Sequence, residues 1–143
     1  VIQILDAQGG LRIFLFGGGK KEIEILTQWA NQYPSATCIA GKLKMDAELA
    51  LMSYLDVMVS MDSGNMHLAS LVNTPVVSIW GATHPLAGFM GWNQSEENAV
   101  QMDLPCRPCS VYGNKPCYRK DYACLHNIQP DTIAQRILST IKD

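Results

Sequence analysis

The sequence has no long apolar run. Its longest uninterrupted stretches, such as Val76 to Trp80, fall far short of the ~20 residues a helix needs to cross a bilayer. No basic-then-apolar segment opens the chain, so nothing in it reads as a secretory signal. Charge of either sign is also scarce. Eleven Lys and Arg against 13 Asp and Glu leave a formal charge of −2, which gives no long-range attraction for nucleic acid or anionic lipid. Internal repeats, low-complexity tracts and linkers are missing as well. One domain is therefore expected over the 143 residues, with no boundary inside it. The 48% hydrophobic and 17% charged fractions describe a soluble globule, and the expected compartment is the cytoplasm. The chain opens at Val1, not at a methionine, inside what reads as an amphipathic helix (Ile2, Leu5, then Gly9-Gly10). It is expected to be part of something longer.

What is present is an alternation of short β-branched runs with longer helical periods, the pattern of a parallel sheet covered by helices. Residues 11–16 read as a strand ending in Gly17-Gly18-Gly19. Residues 20–33 follow as a helix with Ile23, Leu26, Trp29 and Ala30 on one face, closed by Pro34. Residues 37–40 form a second strand, ending at Gly41-Lys42. The next helix, 46–55, places Leu49, Met52 and Leu55 inward. A third strand (57–61), a short helix (66–72) and a fourth strand (76–80) follow, with Asn73-Thr74-Pro75 breaking the helix. From Gly81 to about Gln101 periodicity is lost and a surface loop is expected. Pro130 suits the first position of a last helix, in which Ile133, Ile137 and Ile141 recur every four residues. Trp29, Trp80 and Cys38 are expected in the core. Trp92 can either cover a site or pack its own loop.

In open α/β sheets ligands sit beyond the carboxyl ends of the strands, where loops lead into helix N-termini. Three such ends are rich in candidates: Gly17-Gly18, Gly41-Lys42 and Asp62-Ser63-Gly64-Asn65. Glycine lets a backbone approach a ligand closely, and unpaired amides at a helix start attract phosphate oxygens. The third end carries the most chemistry. Asp62 or Ser63 can cap the helix through a side-chain oxygen, the purely structural account. Gly64 exposes amides beside that cap, and His67 lies in the first turn, able to donate to an anionic oxygen. A diphosphate is the ligand class these groups suit.

The run from Val57 to Ala69 containing Asp62-Ser63-Gly64-Asn65-Met66-His67-Leu68, followed by Thr74-Pro75-Val76 through Gly81-Ala82-Thr83-His84-Pro85, resembles the C-terminal half of family 9 glycosyltransferases. These are the lipopolysaccharide heptosyltransferases and their relatives. The similarity extends from Phe14-Leu15-Phe16-Gly17-Gly18 through Gly41-Lys42 to the Pro130-led helix. The resemblance implies an α/β, Rossmann-like parallel sheet with helices on both faces, forming the C-terminal, donor-binding half of a GT-B fold. The acceptor-binding N-terminal domain would be absent from this chain. It further implies an inverting transfer of heptose or another sugar from a nucleotide-diphosphate sugar, ADP-heptose foremost, to a lipopolysaccharide core or related bacterial glycan. No cofactor or metal is implied. The protein could sit peripherally at the inner face of the inner membrane. Carried onto matching positions, Asp62 would meet sugar hydroxyls and Ser63 and Gly64 the diphosphate, Asn65 would belong to the same donor-binding set, and His67 would lie close by. Gly17 and Gly18 would border the base or ribose, and Gly41 and Lys42 the nucleoside side. The expected base belongs to the missing domain, so no catalytic residue is assigned and the fragment is expected not to turn over alone.

Outside the motif, Cys106-x-x-Cys109 with Cys117, Cys124 and nearby His126 has the composition of a zinc array. The later two cysteines do not form a second close pair. Free thiols are the expectation, and a zinc-binding or nucleotide-binding interaction module without catalysis is the alternative function. Arg107, Lys115, Arg119 and Lys120 make the same stretch basic, as a solvated loop or as a phosphate contact.

Overall fold

The computed structural model describes residues 1–142. The chain forms two compact units, Val1–Ala50 and Leu51–Asp143. Every strand pairing in both is parallel.

The first unit holds helix α1 (Ile2–Gln8), strand β1 (Ile13–Leu15), helix α2 (Lys20–Gln32) and strand β2 (Ala36–Cys38). β1 and β2 pair in register from Ile13 opposite Ala36 to Leu15 opposite Cys38. Leu26 of α2 is buried against them together with Leu15, Ala36, Cys38 and Ala40, and Ile23 and Ala30 pack at the margin. Cys38 is thus a core residue, as expected. Trp29 is not: it is 41% exposed. On α2 it follows Leu26 by three positions, but the inward stripe runs through Ile23, Leu26 and Ala30, so the bulkiest side chain falls on the stripe's solvent edge. The carboxylate of Asp6 on α1 accepts the Ser35 amide at 2.9 Å, tying the first helix to the start of β2.

Helix α3 (Met45–Met52) leads to the second unit. It ends at Met52, which is fully buried, so Leu55 lies in the turn beyond it and is only half-buried. Strand β3 (Met58–Met61), helix α4 (Gly64–Leu71) and strand β4 (Val76–Trp80) follow. Next comes strand β5 (Ala99–Gln101), in the order β3-β4-β5. β4 lies between the other two, and four of its five residues are buried. That near-continuous burial marks a central parallel strand covered on both faces. Trp80 at its end is wholly enclosed, and its indole N–H donates to Ser78 Oγ at 2.8 Å. β3 pairs on one side only and alternates buried with exposed positions.

β5 corrects the expectation of a plain loop from Gly81 to Gln101. Parallel strands need a crossover of a dozen or more residues, and residues 81–98 supply one through two short 3-10 turns, Pro85–Ala87 and Glu96–Asn98. Within it Gln94 acts as a surrogate strand. Its Oε1 accepts the Val76 amide at 2.7 Å and its Nε2 donates to the Thr74 carbonyl at 3.2 Å. A four-residue helix, α5 (Ala123–His126), and the closing helix α6 (Pro130–Lys142) complete the unit. Pro130 opens α6 as its spacing predicts, and Ile133, Ala134 and Ile137 are buried while α6 packs on β4 and β5. Among the described residues no helix is long and apolar enough to cross a membrane.

Candidate functional site

β3 delivers Asp62 and Ser63 to the start of α4. Met66, Ala69 and Ser70 form the buried face of that helix, so Asn65 and His67 fall toward its open side. Ser63 is the N-cap residue, with extended φ of −152°, but its side chain makes no cap hydrogen bond. The expected self-cap is therefore absent, because the hydroxyl is committed elsewhere. Ser60 Oγ donates to the Met61 carbonyl at 2.9 Å and lies 2.9 Å from Ser63 Oγ. With the Ser60 proton spent on Met61, Ser63 is the donor of the pair. The helix start is left with amides that no helical carbonyl can reach, carrying the positive end of the helix dipole.

Gly64 adds to this openness. A Cβ built there meets nothing within 4 Å, and the residue does not need a positive φ. Neither packing nor backbone conformation explains glycine at this position. What it provides is an unscreened approach to the amides. His67 is exposed and Asn65 half-buried.

The two glycine turns of the first unit differ from this. Glu22, in the first turn of α2, folds back so that its Oε2 accepts the Gly18 amide at 2.8 Å. The start of α2 thus carries its own anion. Gly17 is tightly packed: a Cβ there would fall 2.8 Å from Leu26 Cδ1 and 2.9 Å from the Glu22 carboxyl carbon. Gly18, by contrast, has open space where its Cβ would be. Gly41 has a φ of +70° in the turn closed by the Lys42 amide on the Ile39 carbonyl at 3.0 Å, a third turn position that requires glycine. Lys42 is exposed. Because β1 and β2 are parallel neighbours, both turns lie at the same, carboxyl, end of that ladder.

In the second unit a cavity of about 260 Å³ opens at the carboxyl ends of β3 and β4. Its floor is Met61 and Asp62 from the β3 end with Ile79, Gly81, Ala82 and Thr83 from the β4 end. The far wall comes from the basic cysteine loop: Cys109, Tyr112, Lys115 and Cys117, then Tyr122, Cys124 and Leu125. Of the motif residues only Asp62 lines it. The sequence singled out Lys115 and the cysteines without placing them beside Asp62, and nothing local could have placed them. They lie some fifty residues downstream along an aperiodic segment.

Arg107 fastens this loop to the sheet. Its guanidinium donates to the Gly81, Met102 and Thr83 carbonyls and to Gln101 Oε1, the last two at 2.8 and 3.1 Å. Burial lowers its pKa from the usual arginine value, while the nearby thiols of Cys124, Cys106 and Cys109 act the other way. The group stays cationic at neutral pH. The Cys109 amide adds a backbone bond to the Ala82 carbonyl at 2.9 Å. Gly113, at φ +64°, sits so close that a Cβ would come within 3.1 Å of Thr83 Cγ2. Farther along, Arg119 and Asp121 form an exposed ion pair at 2.8 Å, and Asp121 accepts the Ala123 amide at the start of α5.

All five cysteines are free thiols. Cys109 Sγ lies 3.1 Å from the Cys106 carbonyl oxygen. Burial pushes the Cys109 thiol up, with the proximity of Cys106, Cys124 and Cys117 adding to the rise. Among the described residues, however, no three His, Cys, Asp or Glu side chains are arranged to hold a metal ion. Trp92 is 78% exposed, so it does not pack its own loop.

The profile of glycosyltransferase family 9 (heptosyltransferase) matches residues 1–118. Lipooligosaccharide heptosyltransferase 2 of Campylobacter jejuni is 24% identical over 135 residues, covering 92% of this chain and 41% of that protein. Lipopolysaccharide heptosyltransferase 3 of Escherichia coli is 30% identical over 103 residues, 71% of this chain and 29% of that one. The chain thus spans well under half the length of these relatives. The solved structure of E. coli ADP-heptose LPS heptosyltransferase II superposes with a TM-score of 0.72 at 20% identity, over 99% of this chain and 39% of that one. The parallel α/β architecture is accordingly that of a GT-B enzyme's portion. With its Asp-Ser-Gly turn, parallel ladders and profile match in agreement, the chain belongs to glycosyltransferase family 9, the heptosyltransferase family.

Proposed function

We propose that this chain is the donor-binding part of an inverting glycosyltransferase that transfers heptose, or another sugar, from a nucleotide-diphosphate sugar to a lipopolysaccharide core or related bacterial glycan. The observation that carries the reading is the start of α4: its cap residue is turned to Ser60, its glycine is open, and its first amides precede any helical carbonyl that could accept them. A diphosphate satisfies those amides and the dipole together. Asp62 would be repelled by phosphate and suits the sugar hydroxyls instead. The self-anion at Gly18 favours placing phosphates at α4 and not at α2.

In the transfer, an acceptor hydroxyl attacks the anomeric carbon as the bond to the diphosphate oxygen breaks, and a base supplied by another domain takes the hydroxyl proton. The α4 amides would stabilise charge growing on the leaving group. ADP-heptose, which the name of the E. coli heptosyltransferase II carries, is the favoured donor, and the acceptor would be bound outside this chain. On this reading the chain alone binds donor without turning it over.

Calorimetric titration of the full chain with ADP, UDP and GDP tests this. Ser63→Asp places a carboxylate at a position where it caps the helix well but repels phosphate. Gly64→Val fills open space without forcing the backbone. Both variants should fold and lose nucleotide affinity by at least about tenfold, roughly 1.4 kcal/mol. Equal affinity in wild type and both variants would sink the assignment.

A further inference from the structure

The cavity over β3 and β4 is smaller than the roughly 300–1,000 Å³ of sites that engulf a drug-sized ligand, and at about 260 Å³ it suits one sugar ring and not a whole nucleotide sugar. Its lining is mixed in the way a polyol needs. Asp62, Thr83, Tyr112 and Tyr122 offer hydroxyl or carboxylate groups, while Ile79 and Leu125 offer apolar surface for C–H faces. Lys115 is the cation on its wall, and among the described residues it makes no ion pair. The wall is held in place: four Arg107 hydrogen bonds and the Cys109 amide bind the loop to the sheet's end.

We propose that the 106–124 loop forms the sugar side of the donor site, with the transferred ring in the cavity against Asp62 and Tyr122 and with Lys115 acting as counter-charge to the departing diphosphate. This rests on the donor-binding reading above and assigns the cysteine loop to it. The loop is then neither a metal module nor a solvated strap. Its thiols report on the cavity without any substitution, because Cys109, Cys117 and the buried Cys124 line it and Cys106 does not, and of the lining thiols Cys109 and Cys117 are the more exposed.

The test alkylates the full chain with iodoacetamide and follows each cysteine by peptide mass spectrometry, free, with saturating ADP and with saturating ADP-heptose. Occupancy by the sugar predicts that ADP-heptose slows Cys109 and Cys117 at least about tenfold, leaves Cys106 within about twofold, and protects more than ADP does. Equal slowing of all three thiols, no slowing, or equal protection by ADP alone overturns the assignment. Alongside, Lys115→Gln should weaken ADP-heptose binding about tenfold and Lys115→Arg should restore it. If Ser63→Asp abolishes binding while Lys115→Gln binds like wild type, the role of Lys115 falls and the donor-site reading stands. If wild type binds neither ADP nor ADP-heptose, both fall.

Discussion

Arg107 offers the sharpest test of how the loop is held. Arg107→Met keeps the aliphatic stem and removes every donor. The acceptors left behind include the carbonyls of Gly81 and Thr83, both buried residues, and the more accessible Met102 carbonyl and Gln101 side chain. A hydrogen bond from a charged donor contributes about 1.5–3 kcal/mol, and an orphaned buried carbonyl costs about 1–3 kcal/mol. Water can replace the donor at Met102 and Gln101, so the two buried carbonyls set the loss. At about 1.5 kcal/mol each, they bring the total to about 3 kcal/mol, or roughly a hundredfold in the local opening equilibrium. The Cys109 amide, bonded to the Ala82 carbonyl, reports that opening directly. Its hydrogen-exchange protection should fall about a hundredfold in Arg107→Met. Local exchange is the suitable readout because the chain has two compact units and a single melting transition would mix them. Arg107→Lys should recover only part, since one ammonium cannot reach four divergent acceptors. Cys109 exchange within about threefold of wild type in Arg107→Met would refute the anchoring argument.

Two further outcomes follow from the packing and the thiols. Gly91→Ala would place a Cβ 2.1 Å from Ser70 Oγ, which is itself bonded to the Met66 carbonyl at 2.7 Å in the buried face of α4. The overpacking should cost about 1–3 kcal/mol, read as faster exchange of α4 amides, and Ser70→Ala in the same chain should recover most of it. The raised Cys109 pKa means the thiol holds its proton more tightly in the folded chain than in the unfolded one. The linked stability is fully present below the unfolded cysteine value, about 8.5, and is lost as pH rises through the folded value. Alkylation of Cys109 against pH should therefore show a midpoint above that of Cys109 in urea-unfolded protein. A coincident or lower midpoint contradicts the burial of this thiol and the crowding of thiols around it.

Much of this protein is legible from local chemistry. The alternation of strand and helix, the break at Pro75, the start of α6 at Pro130 and the motif at the end of β3 all depend on neighbours within a few residues. Hydrophobic period and turn chemistry report such neighbours directly. Where the sequence misled, packing or a competing hydrogen bond in the folded chain was the reason. β5 is three residues with one buried side chain, Val100, and is a strand only because β4 lies beside it. Trp29 satisfies helical spacing yet faces solvent, because the stripe chosen by the sheet passes beside it. Ser63 has the identity of a capping residue, but the Ser60 hydroxyl takes its side chain, a competition decided by the geometry at the end of β3.

The parallel α/β class, the family and the Asp62–His67 turn are all readable from contiguous residues. That the start of α4 is open and that its counterpart on α2 carries Glu22 depends on the folded arrangement. That arrangement alone brought Lys115 and three cysteines, Cys109, Cys117 and Cys124, to the cavity beside Asp62. Those placements depend on hydrogen bonds between distant segments, above all those of Arg107, and no local pattern encodes where such bonds will land.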